Sequence, residues 1–241
     1  MAKVKVSGFD CFFEGLSLIG RPGLRQYVIV PTVINIAVLA GLIVWGGSQY
    51  DAVSQYIRDS LPDWLSFLSG VFAFLSALVA LFVLLYLFTI VAGLIASPFN
   101  ALLSVKVEEK LTGRSPESNA GLLTVLVRSV VREVVKLLYY LPRLVALVIL
   151  TLIPAVNAAA PVAWIVFGAW MMAVQFADYA ADNNEVSFGD LRALLGRRKI
   201  DALGFGILAY LALAIPVLNL VLMPAAVAGG TALWVHRLRD A

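Results

Sequence analysis

The sequence predicts an all-α membrane protein with two long transmembrane helices, two half-penetrating helical hairpins and amphipathic interfacial helices. Three observations lead there. Of the 241 residues, 61% are hydrophobic and only 14% charged, at a mean hydropathy of +0.93, whereas soluble domains carry about 45–50% apolar and about 25% charged residues. Charges are missing from four long windows, 26–50, 64–105, 144–177 and 202–236. Each of the last two windows is interrupted near its middle by paired prolines.

In chain order, Phe9, Phe12, Phe13, Leu16 and Ile19 share one side of a short helix, with Asp10, Glu14 and Ser17 opposite. Lys3 and Lys5 precede it, but Asp10 and Glu14 interrupt the apolar run that a cleavable signal needs, so the first residues are expected to stay in the mature protein. Window 26–50 holds 25 residues, a fit to the ~20 that cross a ~30 Å hydrocarbon core, and predicts one span. Window 64–105 holds 42 residues, roughly 63 Å as a helix, about twice the core thickness. Ser97-Pro98-Phe99-Asn100 offers a stop and a new N-cap with proline at the first helical position. The expectation is a long span, a break, and a helix returning to water.

Beyond it, Arg128, Arg132 and Lys136 recur every four residues while Leu122, Leu126, Val130, Val134 and Leu138 fill another face. This is an amphipathic helix that continues to Leu141-Pro142-Arg143. Its polar face, like that of the N-terminal helix, fits either the headgroup layer or the protein's own cytoplasmic side.

Window 144–177 contains Ile153-Pro154-Ala155-Val156-Asn157 and then Pro161; window 202–236 contains Ile215-Pro216-Val217-Leu218-Asn219 and then Pro224. The prolines divide each window into pieces of roughly 10–16 residues, about 15–24 Å as helix, too short for a ~30 Å core. Hairpins that enter and return on one side fit this division. An ordinary proline-kinked span is the alternative, and unpaired backbone at depth would need protein or a water-filled cavity around it. Counting favours hairpins: 17 of the 18 basic residues then share a side with both termini, leaving only Arg58 opposite. That side is the cytoplasm by the positive-inside rule. The whole chain, 1–241, reads as a single integral-membrane domain.

Catalysis finds little support. No GxxxxGK[ST], HExxH, CxxC or GxSxG occurs; there is one cysteine, Cys11, and one histidine, His236. No cofactor or metal is therefore expected, and the net charge of +3 without a basic aromatic run argues against nucleic acid. Asp178, Asp182, Glu185 and Asp190 cluster at a membrane edge, as a metal or general-base site or as a solvated helix end. Transport fits better. The windows hold no carboxylate for a proton relay, but they hold Asn35, Asn100, Asn157 and Asn219, each within five residues after a proline. These amides could hydrate an ion, or simply cap broken helices. Arg21-Pro22-Gly23-Leu24-Arg25 precedes the first span. Proline leaves first-turn N–H groups unpaired, glycine admits a ligand to the backbone, and arginine offers a planar fork, which together suit a tetrahedral oxyanion.

The stretches RPGLRQYVIVPTVIN, IASPFNALL, WMMAVQFADYAADNNEVSFGDLR, RKIDALGFG and IPVLNLVLMPAAVAGGTALWV resemble, in the same order, the CysZ family of bacterial inner-membrane sulfate transporters. The resemblance runs nearly end to end. It implies passage of sulfate into the cytoplasm for cysteine biosynthesis, through a channel without an ATPase partner, and two long spans with half-penetrating hairpins. The family's sulfate site carries over onto Gly23, Leu24 and Arg25. Gln26 stands where a second arginine commonly follows, removing one positive charge. Asn35, Asn100, Glu108 and Glu109 are expected along the polar path, the two glutamates paired with a base such as Lys106 or Arg114 so as not to repel sulfate. Membrane lipids and further copies of the chain are the other expected partners. The competing reading is a non-transporting scaffold whose basic face docks lipid or a cytoplasmic protein.

Overall fold

The computed structural model describes residues 6–116, 122–154, 156–215 and 219–241, and among them every regular element is helical. Lys3, Lys5, Ala155 and Pro216 to Leu218 lie outside the described residues, as do the side chains of Leu122, Leu126 and Val130. The main helices are α1 (Gly8–Ile19), α2 (Gln26–Ser60), α3 (Ser69–Thr112), α4 (Leu122–Leu152), α5 (Ala160–Asn183), α6 (Phe188–Arg197), α7 (Lys199–Leu213) and α8 (Asn219–Leu233). Four stretches, in α2, α3, α4 and α5, are long and apolar enough to cross a membrane. The chain divides into two compact units, Ile29–Phe99 and the remainder, Met1–Val28 with Asn100–Ala241.

The unit Ile29–Phe99 is a helical hairpin turned by a short 3-10 helix at Asp63–Leu68. Its side chains point outward almost everywhere: Val44 is 73% exposed, Tyr86 69% and Phe74 66%. The expected break at Ser97–Asn100 is not made, since α3 runs on through Pro98 to Thr112. Proline removes one ladder bond, but the flanking helical bonds have no better partner in an apolar solvent. The sequence signal nevertheless coincides with a boundary, because the hairpin unit ends at Phe99.

The other unit has a true core. α1 begins in a reciprocal cap, with the Ser7 hydroxyl accepting from the Asp10 N–H at 3.3 Å and the Asp10 carboxylate accepting from the Ser7 N–H at 2.8 Å. Phe12 and Ile19 turn inward as the pattern predicts, whereas Phe9 and Phe13 stay half exposed. The aromatic centre is Phe205, edge-on to Phe176 and tilted against Phe12. Alanines on α5 (Ala173, Ala177, Ala180) and α8 (Ala225, Ala228, Ala232) are wholly buried and let helices approach closely. Gly15 is required at one such approach, because a methyl group there would collide with the backbone of Ala225 and Gly229.

Window three is divided at Pro154, but the helical stretches on either side, of 22 and 27 residues, are long and apolar enough to cross a membrane and are not the short pieces expected. In window four Pro224 lies inside α8 and makes no break. α7 has 15 residues, about 22 Å and within the predicted size, whereas α8, also 15 residues, runs straight on into a π-helical turn at Trp234–Leu238 and exceeds it. α4 and α5 are longer, 31 and 24 residues, because they continue past the charge-free window into segments whose charges neutralise one another. Arg132 of α4 holds Asp178 of α5 at 2.7 Å and Asp182 at 3.3 Å, and donates to Val186 O at 2.7 Å. Lys136 sits 3.2 Å from Asp178, and Arg128 3.0 Å from Asp182 and 3.4 Å from Glu185. The basic face of α4 therefore packs on the protein itself. The described part of its apolar face stays open, with Val134 and Leu138 50% and 68% exposed.

Candidate functional site

The turn between α1 and α2 is built by one carbonyl. Arg21 O accepts from the Leu24 N–H at 3.1 Å and from the Arg25 N–H at 3.2 Å, while Arg21 itself donates to Leu18 O at 3.0 Å. Two of the N–H groups that the sequence left for a ligand are thus closed within the turn. Gly23 is not among the bonded donors, and it lies at φ +87°, a left-handed conformation that favours glycine. A methyl group there would meet nothing within 4 Å, so its surroundings are open. Leu24 does the opposite work. At 2% exposure its side chain joins the core and anchors the turn.

Cations gather around this turn. Arg21 and Arg25 are exposed, and among the described residues neither has a carboxylate within ion-pair distance. Lys110, from the last turn of α3, reaches Pro22 O at 3.3 Å. It lies 88 positions from Pro22 along the chain, so no local pattern could have placed it there. Glu109 is held by Lys106 at 2.7 Å, the pairing expected of it.

Glu108 is placed differently. Asn100, Ser104 and Glu108 recur every four residues on the inner face of α3, all buried, and form a polar stripe inside an apolar unit. Asn184 donates to Glu108 Oε2 at 2.8 Å, Ser104 and Thr231 share a hydroxyl contact at 2.9 Å, and Asn183 donates to Ala101 O at 3.4 Å. No cation lies within ion-pair distance of Glu108 among the described residues, and Arg239 acts on it from farther away. The Asn100 Nδ2 is buried without a hydrogen bond of good geometry, with the Tyr179 hydroxyl as its polar neighbour. Asn35, in the hairpin unit, is 6% exposed and its Oδ1 also lacks such a bond. Asn219 Oδ1 completes the set. Asn157 is exposed and is the first residue of a 3-10 turn whose N-cap is Val156, with no side-chain capping bond. Sequence reasoning named Asn100 and Glu108 but passed over Ser104, Asn184 and Thr231; the four-residue spacing 100, 104, 108 was the available signal.

Asp178, Asp182 and Glu185 of the acidic cluster are taken up by the ladder described above, while Asp190 sits exposed in the first turn of α6, bonded to Ser187. Asp178 is 3% exposed and engaged by Arg132 and Lys136, so it is neither a solvated helix end nor free for proton transfer. Among the described residues no group of three or more His, Cys, Asp or Glu is arranged to hold a metal ion.

A profile of the family described as sulfate transporter CysZ/etoposide-induced protein 2.4 matches residues 11–224. A sulfate transporter CysZ of Pseudomonas aeruginosa (strain PAO1) is 46% identical over 234 residues, 96% of this chain and 95% of its own length. One from Pectobacterium atrosepticum is 43% identical over 239 residues, 97% of this chain and 86% of its own, and one from Pseudomonas fluorescens is 41% identical over 96% and 94%.

Proposed function

We propose, from the premise that this chain belongs to the sulfate transporter CysZ/etoposide-induced protein 2.4 family, that it admits sulfate across the bacterial inner membrane into the cytoplasm for cysteine biosynthesis. Near neutral pH sulfate is a dianion, so its water must be replaced by donors, and weakly enough for release. The observation that carries the reading is the exposed turn at Gly23, a left-handed glycine whose N–H makes no backbone hydrogen bond. Arg21 and Arg25 flank it in the chain and Lys110 lies on the carbonyl side of the Pro22–Gly23 peptide, none of the three spent on a carboxylate among the described residues. In this reading Arg25 grips the anion, the Gly23 N–H adds a donor, and Leu24 holds the turn in register. Lys110 supplies the charge that Gln26 withholds.

Passage is channel-like and independent of ATP. Asn35 and Asn100 offer neutral polar groups along the path, and the Lys106–Glu109 pair keeps its carboxylate from repelling the ion. Glu108, buried beside Asn184, narrows the path to an ion that its amide neighbours can hydrate. The whole chain works as one integral-membrane domain, multi-pass with cytoplasmic termini, in which α7 and α8 form a half-penetrating hairpin and α4 with α5 its counterpart. Several copies assemble, since the exposed apolar hairpin encloses no aqueous route alone. A scaffold that docks partners through Arg128, Arg132 and Lys136 is disfavoured by the ladder that occupies them.

The test is radiolabelled sulfate flux into proteoliposomes holding only this protein, without ATP and with the proton gradient collapsed. Uptake that follows the sulfate gradient is expected. Absence of flux with correctly folded protein would reject the channel reading.

A further inference from the structure

Away from the sulfate turn, two arginines converge on one tyrosine. Arg143 of α4 places its guanidinium carbon 3.7 Å from the centre of the Tyr139 ring, and Arg192 of α6 places its own at 4.8 Å from the same centre. The ring is pinned, with Trp170 Nε1 donating to its hydroxyl at 2.9 Å and Phe188 edge-on at 5.6 Å. Arg143 also donates to Tyr139 O at 2.8 Å. Cation–π contact explains the positions but leaves the charges uncompensated. Neither arginine has a carboxylate within ion-pair distance among the described residues. The neighbouring acids are engaged elsewhere: Glu133 by Lys136, Asp178 by Arg132 and Lys136, Asp190 by the Ser187 hydroxyl. Arg192 Nε is buried without an acceptor.

Two like charges held on one ring, with an orphaned donor, call for an anion. The surface beside them says which kind. On either side of Pro142, α4 exposes Leu141, Leu144, Val145 and Val148 at 36–59%, an apolar strip that flanks Arg143 in the chain. Tyrosine and tryptophan with arginine at the end of an apolar helix mark the headgroup level of a bilayer. A free inorganic anion would use the cations and leave the strip uncovered. A phospholipid uses both.

We propose that Arg143 and Arg192, held on Tyr139, form a binding site for the phosphate of an anionic phospholipid whose acyl chains lie along the exposed strip of α4. A zwitterionic lipid would bring its own cation against the pair, so the site discriminates by headgroup charge. This goes beyond sulfate passage and does not depend on it.

The experiment titrates phosphatidylglycerol, or phosphatidylcholine with the same acyl chains, into delipidated full-length protein in detergent, with retained lipid read by native mass spectrometry. Wild-type protein should hold phosphatidylglycerol the tighter, and R143Q/R192Q should weaken that binding about thirtyfold, from roughly fivefold per arginine at an anionic surface. Phosphatidylcholine binding should stay unchanged. Should the double variant fail to fold, R143Q alone, altered at an exposed side chain, should lose about fivefold. Equal affinity of wild-type protein for the two lipids overturns the proposal, as does unchanged phosphatidylglycerol binding in a folded variant. Displacement of the lipid by millimolar inorganic phosphate would also overturn it, by revealing a site for a free anion.

Discussion

The hairpin Ile29–Phe99 and the unit formed by Met1–Val28 with Asn100–Ala241 divide this protein in a way that inverts a soluble fold. The hairpin is its most apolar part, yet none of the most hydropathic stretch of α3 is buried. The other unit carries most of the charge, and it buries side chains such as Lys136, Arg132 and Asp178, at 4%, 10% and 5% exposure. Lipid is as apolar as leucine, so hydrophobicity alone does not drive helices together there. What does is close packing of small residues, such as Gly15 against Ala225, and pairing of charges that lipid would refuse.

That contrast can be broken most forcefully at Asp178. Among the described residues, removing its carboxylate in D178A leaves the buried Arg132 side chain with the Asp182 carboxylate alone and buried Lys136 with that of the exposed Glu133 alone, and a buried pair losing one partner costs about 3–5 kcal/mol. L85A in the hairpin, at a side chain 44% exposed, should cost less than about 0.5 kcal/mol. Thermal unfolding in detergent ranks the two, and comparable losses would refute the inversion.

Next comes the turn. R25A should weaken sulfate binding by about 1.5–3 kcal/mol, the scale of a charge-assisted bond, while R58A from the hairpin leaves it unchanged. Isothermal titration on purified protein decides, and equal effects would remove Arg25 from the site. G15L tests small-residue packing by forcing α1 from α8, with an expected loss of about 1–3 kcal/mol; G41L in the hairpin, where a side chain meets nothing within 4 Å, should lose far less.

The smallest effect concerns Cys11, completely buried in α1. Burial, then Glu14, Asp201 and Asp10, pushes its thiol up to about 12. A raised value in the folded state favours the protonated thiol, so its contribution to stability is complete below the ordinary thiol range and is lost as pH rises toward about 12. Iodoacetamide should therefore leave Cys11 unlabelled at neutral pH in native protein and modify S115C, introduced at an exposed position, readily. Rapid native labelling of Cys11 would contradict the packing of α1.

Much of this was readable before any coordinates. Charge-free windows locate the apolar helices because lipid taxes charge residue by residue, and Pro154 marks the division of window three because a missing N–H is a local defect. Pro98 misled in one respect, since a long apolar helix absorbs the same defect when nothing competes for its neighbours' bonds. The Gly23 turn was readable as well, from glycine between proline and arginine. Its third cation was not, because Lys110 arrives from a distant helix.

By itself, then, the sequence determined which segments are apolar enough to cross a membrane and where the chain turns at Gly23, properties of neighbouring residues and of composition. Only the tertiary structure decided which charges are available. Arg128, Arg132 and Lys136 look as free in the sequence as Arg25 or Arg143, and they are neutralised solely because α5 lays Asp178, Asp182 and Glu185 against them. Pairing depends on distances of a few ångströms between residues far apart in the chain, and Coulomb energy at such separations, in a medium poor in water, is large enough to choose between a ligand site and a strut.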